Sequence, residues 1–233
     1  MNTYKGKEKK MIYSIALDGP GGAGKSTVAK RVAARKGIIY VDTGAMYRRI
    51  ALFMLRNDVD VSDINAVQPL LSKVDIQIRF EDGTQKIILN GEDVSTRIRE
   101  NRVSLAASTV SRHKEVRSFL LDTQRNLAKQ NSVIMDGRDI GTVVLPDAQV
   151  KIYLTADVKE RAKRRFKELQ EKGQEVSFDE LLDEIKLRDY QDMNRDVAPL
   201  RQADDAVLLD TTDLDFDQVV EKVLEIIREK TGN

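Results

Sequence analysis

The chain has 233 residues, 41% hydrophobic and 33% charged, with Lys+Arg 39 against Asp+Glu 38. Such a chain can bury a sizeable core, and its near-neutral balance offers no overall field for nucleic acid or an anionic membrane surface. The lack of cysteine excludes disulfides, thiolate metal sites and cysteine nucleophiles, and a single histidine, His113, excludes histidine triads and multi-histidine zinc sites. Aromatic residues at 5% with no tryptophan argue against base-stacking platforms, and no apolar run reaches the roughly 18 residues of a membrane span.

The opening MNTYKGKEKK is basic but lacks the apolar core of a signal segment, so residues 1–10 are expected to be a disordered tail and the protein cytoplasmic. MIYSIALD, Met11 to Asp18, reads as a buried strand running into a glycine cluster. A helix follows in GKSTVAKRVAARKG, with Val28, Val32 and Ala33 on one face and Gly37 as its stop. IIYVDTG is a second strand, ending in Asp42. Strand, loop, helix and strand in this order predict a doubly wound α/β core with a parallel sheet.

AMYRRIALFMLRND is helical by its spacing, with Met46, Ile50, Phe53 and Met54 on one side. The period then changes to two in DIQIRF and KIILNGEDV, separated by EDGTQ and followed by a tight turn at Asn90-Gly91. This predicts an antiparallel hairpin inserted at about residues 62–98. Two helices follow, NRVSLAASTVS and KEVRSFLLDTQRNLAKQ, the second with Val116, Phe119, Leu120, Thr123 and Leu127 on its stripe. His113, at the start of that helix, reads as a solvated surface residue. SVIMD and QVKIYLTA resume the core strands, a charged helical pair spans 158–198, and DAVLLDTTD and FDQVVEKVLEIIREK supply a last strand and helix. The predicted division is core in 11–43, 131–157 and 199–233, a second region in 44–130, and the helical pair.

Residues Gly19, Pro20, Gly21, Gly22, Ala23, Gly24, Lys25 and Ser26 match G-x-x-x-x-G-K-[ST] without departure, and Thr27 continues into the helix. Glycines let the backbone wrap phosphates, and the N–H groups of the loop and helix N-terminus point at the oxygens. Lys25 supplies a mobile charge for the β- and γ-phosphates, and the Ser26 hydroxyl can ligate Mg²⁺. A nucleoside triphosphate is the expected ligand. No Asn-Lys-x-Asp segment for reading guanine follows, which disfavours a GTPase. A kinase needs a second pocket in which arginines grip an acceptor and water is kept out.

DGPGGAGKST, VDTGAMYR, DGRDIGTVV, LQEKG and RDYQDMNRDVAPL together resemble the bacterial cytidylate kinase family, in the family's order and across essentially the whole chain from Met11. The resemblance implies a P-loop NTPase-type α/β fold, a parallel sheet flanked by helices. It also implies an NMP-binding insertion carrying the antiparallel hairpin, so that 44–130 is the CMP-binding region, and a helical lid at 158–198. The implied reaction moves the γ-phosphoryl group of ATP to CMP or dCMP with Mg²⁺, giving ADP and the diphosphate. Arg48 and Arg138 then match positions that hold the acceptor phosphate, and Ser108, Arg117 and Asp139 positions that read cytosine. Arg188, Asp192 and Arg195 match positions near the sugar, base and phosphate of CMP. Thr43 stands where some relatives have serine and keeps a hydroxyl.

The chemistry of cytosine suits that set, because a carboxylate and a hydroxyl can accept from its exocyclic amine while Arg117 donates to O2 or N3. Uracil would turn a carbonyl lone pair toward the same carboxylate. Most charges of RAKRRFKELQEK are those of a solvated helix. Arg161, Arg164 and Arg165 are assigned a catalytic lid role over the triphosphate, without a choice among them. Asp18, Asp42 and Asp136 each end a strand at the ligand-binding edge of the sheet. Asp136 serves either the acceptor or a Mg²⁺-bound water, or else is a local partner of its loop.

The alternatives are a P-loop kinase of another small acceptor, such as UMP and CMP jointly, and an ATP-binding regulatory protein, which would not need so many acceptor-side arginines. The expected partners are ATP and CMP or dCMP, with no nucleic acid and no membrane, and a monomer is expected.

Overall fold

The computed structural model describes residues 12–81, 84–171 and 173–232. In chain order, β1 (Ser14–Asp18) leads through the glycine loop to α1 (Lys25–Lys36), and β2 (Ile39–Asp42) leads directly to α2 (Thr43–Arg56). The next segment holds α3 (Ile64–Val67), a 3₁₀ stretch (Gln68–Lys73), β3 (Ile76–Glu81), β4 (Thr84–Leu89) and β5 (Glu92–Asp93). Then come α4 (Asn101–Val110), α5 (Lys114–Gln130), β6 (Val133–Gly137), β7 (Val150–Thr155), α6 (Val158–Glu171), α7 (Phe178–Asn194), β8 (Val207–Asp210) and α8 (Phe216–Thr231).

The central sheet has the order β2-β6-β1-β7-β8, with every pairing parallel. Both faces of β1 are covered, which is why Ile15, Ala16 and Leu17 are all apolar and inaccessible rather than alternating. On one face Val28 and Val32 of α1 and Val220, Val223 and Ile227 of α8 pack against Ile15, Leu17 and Ile152. On the other, Val133, Met135, Ile140 and Val144 gather with Leu121 and Ala128 of α5. A further core joins Met46, Ile50 and Met54 of α2 to Val103 and Val110 of α4, Val116 and Leu120 of α5, and Ile87 and Leu89 of β4. The apolar stripes of α2 and α5 read from the sequence are therefore the surfaces that bury the second region.

The expected hairpin is present, as the antiparallel sheet β3-β4-β5. Asn90 and Gly91 both take positive φ, 48° and 87°, as a tight two-residue turn demands. The EDGTQ turn falls partly on residues 82 and 83, and the expected tail on residues 1–10, both outside the described residues. Gly37 closes α1 at φ 62° as its stop.

Two features differ from the sequence reading. Ile140–Val144 coils into a single π-helical turn after β6, too short for any apolar period to announce. His113 is not a free surface residue: it is half-buried, and its Nε2 lies 2.8 Å from the carbonyl oxygen of Val61, because α5 packs beside the segment that follows α2.

The parallel register brings the carboxylates together. Asp42 lies opposite Asp136, and Asp18 lies opposite Gly137 on one side and Tyr153 on the other. All three acids therefore crowd the C-terminal edge of the sheet, where open α/β folds bind ligands.

Candidate active site

The phosphate loop connects β1 to α1. Gly19 has φ 148°, and a Cβ there would sit 1.9 Å from the Leu154 carbonyl oxygen, so no side chain fits. α1 begins at Lys25 with no side-chain cap and no acid in its first turn, which leaves its N-terminal N–H groups for an anion. Lys25 is 6% exposed, and its ammonium donates to the Pro20 carbonyl across 2.7 Å. Burial, and then the charge of Arg138, push this lysine well below its ordinary range, while Asp136 and Asp18 oppose the shift. A triphosphate in the loop would replace that lost solvation.

Ser26 donates its hydroxyl to Asp136 Oδ2 across 2.6 Å, and Tyr40 donates to Asp136 Oδ1 across 3.0 Å. Burial pushes Asp136 up to about 6, helped by the charge of Asp42 and opposed by Ser26, Lys25 and Tyr40. The pair of oxygen donors from Ser26 and Asp136 fits Mg²⁺, which keeps most of its waters and takes few protein ligands. Among the described residues no group of three or more His, Asp or Glu is placed to hold a metal ion by itself. Asp136, whose role the sequence leaves open, gives both carboxylate oxygens to hydroxyls, one from Ser26 at the end of the phosphate loop and one from Tyr40 of β2.

Asp18 organises the loop after β6. It accepts the N–H of Ile140 across 2.8 Å and of Gly141 across 2.7 Å, and it is pushed up to about 6, chiefly by burial. The π-helical turn is held there, with Arg138 and Asp139 just before it. Thr43 donates its hydroxyl to the Asp136 carbonyl across 2.7 Å, joining the start of α2 to the same loop.

Several residues that the resemblance assigns to the acceptor lie near this loop. Arg138 Nε donates to Asp192 Oδ2 across 2.7 Å, and its NH2 lies 3.8 Å from where a Cβ on Gly21 would stand. Arg188 brings its Cδ to 3.9 Å from the same point. Although much of Arg188 is solvent-accessible, desolvation of its head group, then the charge of Arg138, hold it down to about 10, while Asp192 and Asp189 oppose the shift. Burial raises Asp192, but the charge and hydrogen bond of Arg138, with Arg188 and Arg195, outweigh it and keep the carboxyl below its usual range. Arg48 donates to Asp42 Oδ2 across 2.9 Å, while Asp42 Oδ1 caps α2 through the Ala45 N–H.

Asp139, 5% exposed, accepts from Arg117 on one oxygen and from Arg195, at 3.3 Å, on the other. The Arg117 guanidinium lies 5.6 Å from the centre of the Tyr47 ring and also donates to the Ser111 carbonyl. Ser108 is half-buried on α4, and its carbonyl accepts the Ser111 hydroxyl across 2.9 Å. Ser108 thus stands at the end of a chain of contacts leading through Ser111 and Arg117 to Asp139, without touching Asp139 itself.

Arg161, Arg164 and Arg165, expected from the sequence to share one role, separate. Arg161 is 5% exposed, donates to the Gly21 carbonyl across 2.8 Å and pairs with Asp189 across 2.7 Å. Arg164 is held instead by the carbonyl and hydroxyl of Thr211, and Arg165 by Glu168 on the exposed side of α6. Only Arg161 of the three meets the phosphate loop. Asp189, its partner, was passed over in the sequence, although its place three residues before Asp192 puts both on one face of α7. Tyr40 left no sequence signal, because its meeting with Asp136 depends on which strand neighbours β2.

A family model for cytidylate kinase matches residues 15–229. The chain belongs to the cytidylate kinase family. Curated relatives of that name include the protein of Caldicellulosiruptor saccharolyticus, 53% identical over 220 residues, covering 94% of this chain and 97% of that one. The Bacillus pumilus protein is 52% identical over 216 residues, covering 93% of this chain and 96% of its own length. A crystal structure of an uncharacterized protein from Eubacterium ventriosum matches with a TM-score of 0.52 at 14% identity, over 92% of this chain and 98% of that one, a likeness of fold alone. The family's reaction is phosphoryl transfer from ATP to CMP, and the chain is accordingly a kinase. Among the described residues no helix is long and apolar enough to cross a membrane.

Proposed function

We propose that this cytidylate kinase family member transfers the γ-phosphoryl group of ATP to CMP or dCMP, as a monomer in the cytoplasm. Residues 19–27 hold the triphosphate, with Lys25 leaving the Pro20 carbonyl for the β- and γ-oxygens. Ser26 and Asp136 would hold Mg²⁺, which when bound neutralises charge on the β- and γ-phosphates. Arg48, Arg138 and Arg188 hold the acceptor phosphate. Arg117, Asp139 and Ser108 read the base, and Thr43, Asp192 and Arg195 complete the CMP side. Asp139 uses one lone pair on each oxygen for Arg117 and Arg195, and keeps others to accept a cytosine amine. Arg161 carries positive charge along the loop, and a catalytic part for Arg164 and Arg165 requires α6 to move toward the cleft. Residues 44–130 and 158–198 serve as CMP-binding region and lid around the core.

The observation that carries this reading is the position of Arg138, between the phosphate loop at Gly21 and the α7 carboxylate Asp192. One cation there bridges donor and acceptor, and a nucleotide-binding switch has no use for it. The test is ADP release from ATP and Mg²⁺ with CMP, dCMP or UMP, with products identified by mass. CDP or dCDP is expected, with UMP a much poorer acceptor. ADP release that ignores CMP would overturn the assignment, and equal use of UMP would leave a joint UMP and CMP kinase.

A further inference from the structure

Tyr40 projects from β2 into a core of Ile15, Leu17 and Val28, yet ends in a hydroxyl that meets a carboxylate. Tyr40 and Asp136 are 8% and 6% exposed, so their hydrogen bond is closed to solvent. The sheet register creates the meeting. Tyr40 lies opposite Ile134 and Asp42 opposite Asp136, so the ring runs along β2 toward the pair two positions on, the next on its own face of the strand. Its hydroxyl takes Asp136 Oδ1, and the Ser26 hydroxyl takes Oδ2 from the other side at 2.6 Å. Lys30 lies 5.8 Å from the centre of the ring.

We propose that Tyr40 is a positioning residue for the metal site: its hydroxyl fixes the Asp136 carboxylate so that Oδ2 stays beside Ser26. The inference rests on the reading of Ser26 and Asp136 as the Mg²⁺-binding pair. Asp136 is flanked by the like charge of Asp42 and attracted by Lys25, so other orientations compete for it. A donor on Oδ1 holds the carboxylate plane against both, as groups behind metal ligands commonly do. Tyr40 itself touches no substrate.

The test uses the full-length protein and Mn²⁺ as probe, with free Mn²⁺ followed by electron paramagnetic resonance in saturating ADP. Replacing Tyr40 by phenylalanine keeps the ring and removes only the hydroxyl. Tyr40→Phe is expected to weaken Mn²⁺ binding about tenfold, with ADP affinity in EDTA within about twofold of the parent. Lys30→Ala removes the cation beside the ring, keeps the hydroxyl, and should leave Mn²⁺ affinity unchanged. Unchanged Mn²⁺ binding in Tyr40→Phe overturns the proposal. So does an equal loss of metal-free ADP binding, which would indicate a disturbed loop, or an equal loss in Lys30→Ala, which would assign the effect to ring packing. If the parent protein takes up no Mn²⁺ beside ADP, it is the reading of Ser26 and Asp136 that fails.

Discussion

Arg138 and Asp192 lie 54 positions apart in sequence and are joined by a 2.7 Å hydrogen bond, which ties the loop after β6 to α7. Both are largely shielded from solvent, so removing either one takes away the other's hydrogen-bonded charge partner and leaves it to the weaker field of its neighbours. Arg138→Ala is expected to lower kcat/KM for CMP by about 100-fold or more while ATP affinity changes far less. Arg138→Lys should recover little, since a point charge cannot keep the Asp192 bond and also grip a phosphate with a planar fork. Calorimetric titration with CMP and with ATP separates the two effects, and equal losses on both sides would refute the acceptor assignment.

In the proposed function Asp139 carries the choice of base. Asp139→Asn turns an amide N–H₂ toward the cytosine amine and loses the charge facing Arg117 and Arg195. The ratio of kcat/KM for CMP over UMP is expected to fall by about 10- to 100-fold, most of it through CMP. Steady-state kinetics with both acceptors give that ratio directly, and an unchanged value removes Asp139 from the reading of cytosine.

The arginines of α6 should rank by their contacts. Arg161→Ala breaks a part-buried contact to the phosphate loop and removes the ion pair of Asp189, and kcat is expected to fall by about 100-fold or more. Arg165→Ala removes an exposed pair with Glu168, and its effect on stability should be under about 1 kcal/mol. The Arg164→Ala result reports on motion: a large fall in kcat with normal CMP affinity shows that α6 leaves Thr211 during turnover. Single-turnover kinetics of the three variants provide the ranking.

Asp18 makes stability depend on pH. Its folded-state value is pushed up to about 6, chiefly by burial, so the folded protein holds this proton where the unfolded chain releases it. For a carboxylate that sign means stability falls as pH rises, from about pH 4 to somewhat above 6, by up to about 3 kcal/mol for this one group. Asp136 adds in the same direction. Asp18→Asn should be less stable overall, because an amide meets one of the two N–H groups of Ile140 and Gly141, but its melting temperature should vary less with pH across that window. Thermal melts at four pH values check it, and an identical pH profile for the two proteins would contradict the assignment.

Much of the fold was legible because its signals are local. The apolar runs of β1 and β6, the stripes of α2 and α5, the Gly37 stop and the Asn90-Gly91 turn each depend on a few consecutive residues. The π-helical turn at Ile140–Val144 was not legible, since five residues hold less than two periods of any helix and the turn is set by Asp18, more than a hundred positions away. His113 was misread for a similar reason: a charged neighbourhood in sequence says nothing of the Val61 carbonyl that packs against it.

By itself the sequence determined that a G-x-x-x-x-G-K-[ST] loop joins a strand to a helix, and that arginines and carboxylates gather in three later segments. Those conclusions follow from residue chemistry at short spacing. Only the tertiary structure decided the pairing of those charges. Strand order set Tyr40 and Ser26 on either side of Asp136, and the packing of α6 and α7 brought Arg161 but not Arg165 to the phosphate loop. Pairing depends on distances of a few ångströms between residues tens to hundreds of positions apart, and strand order and helix packing set those distances.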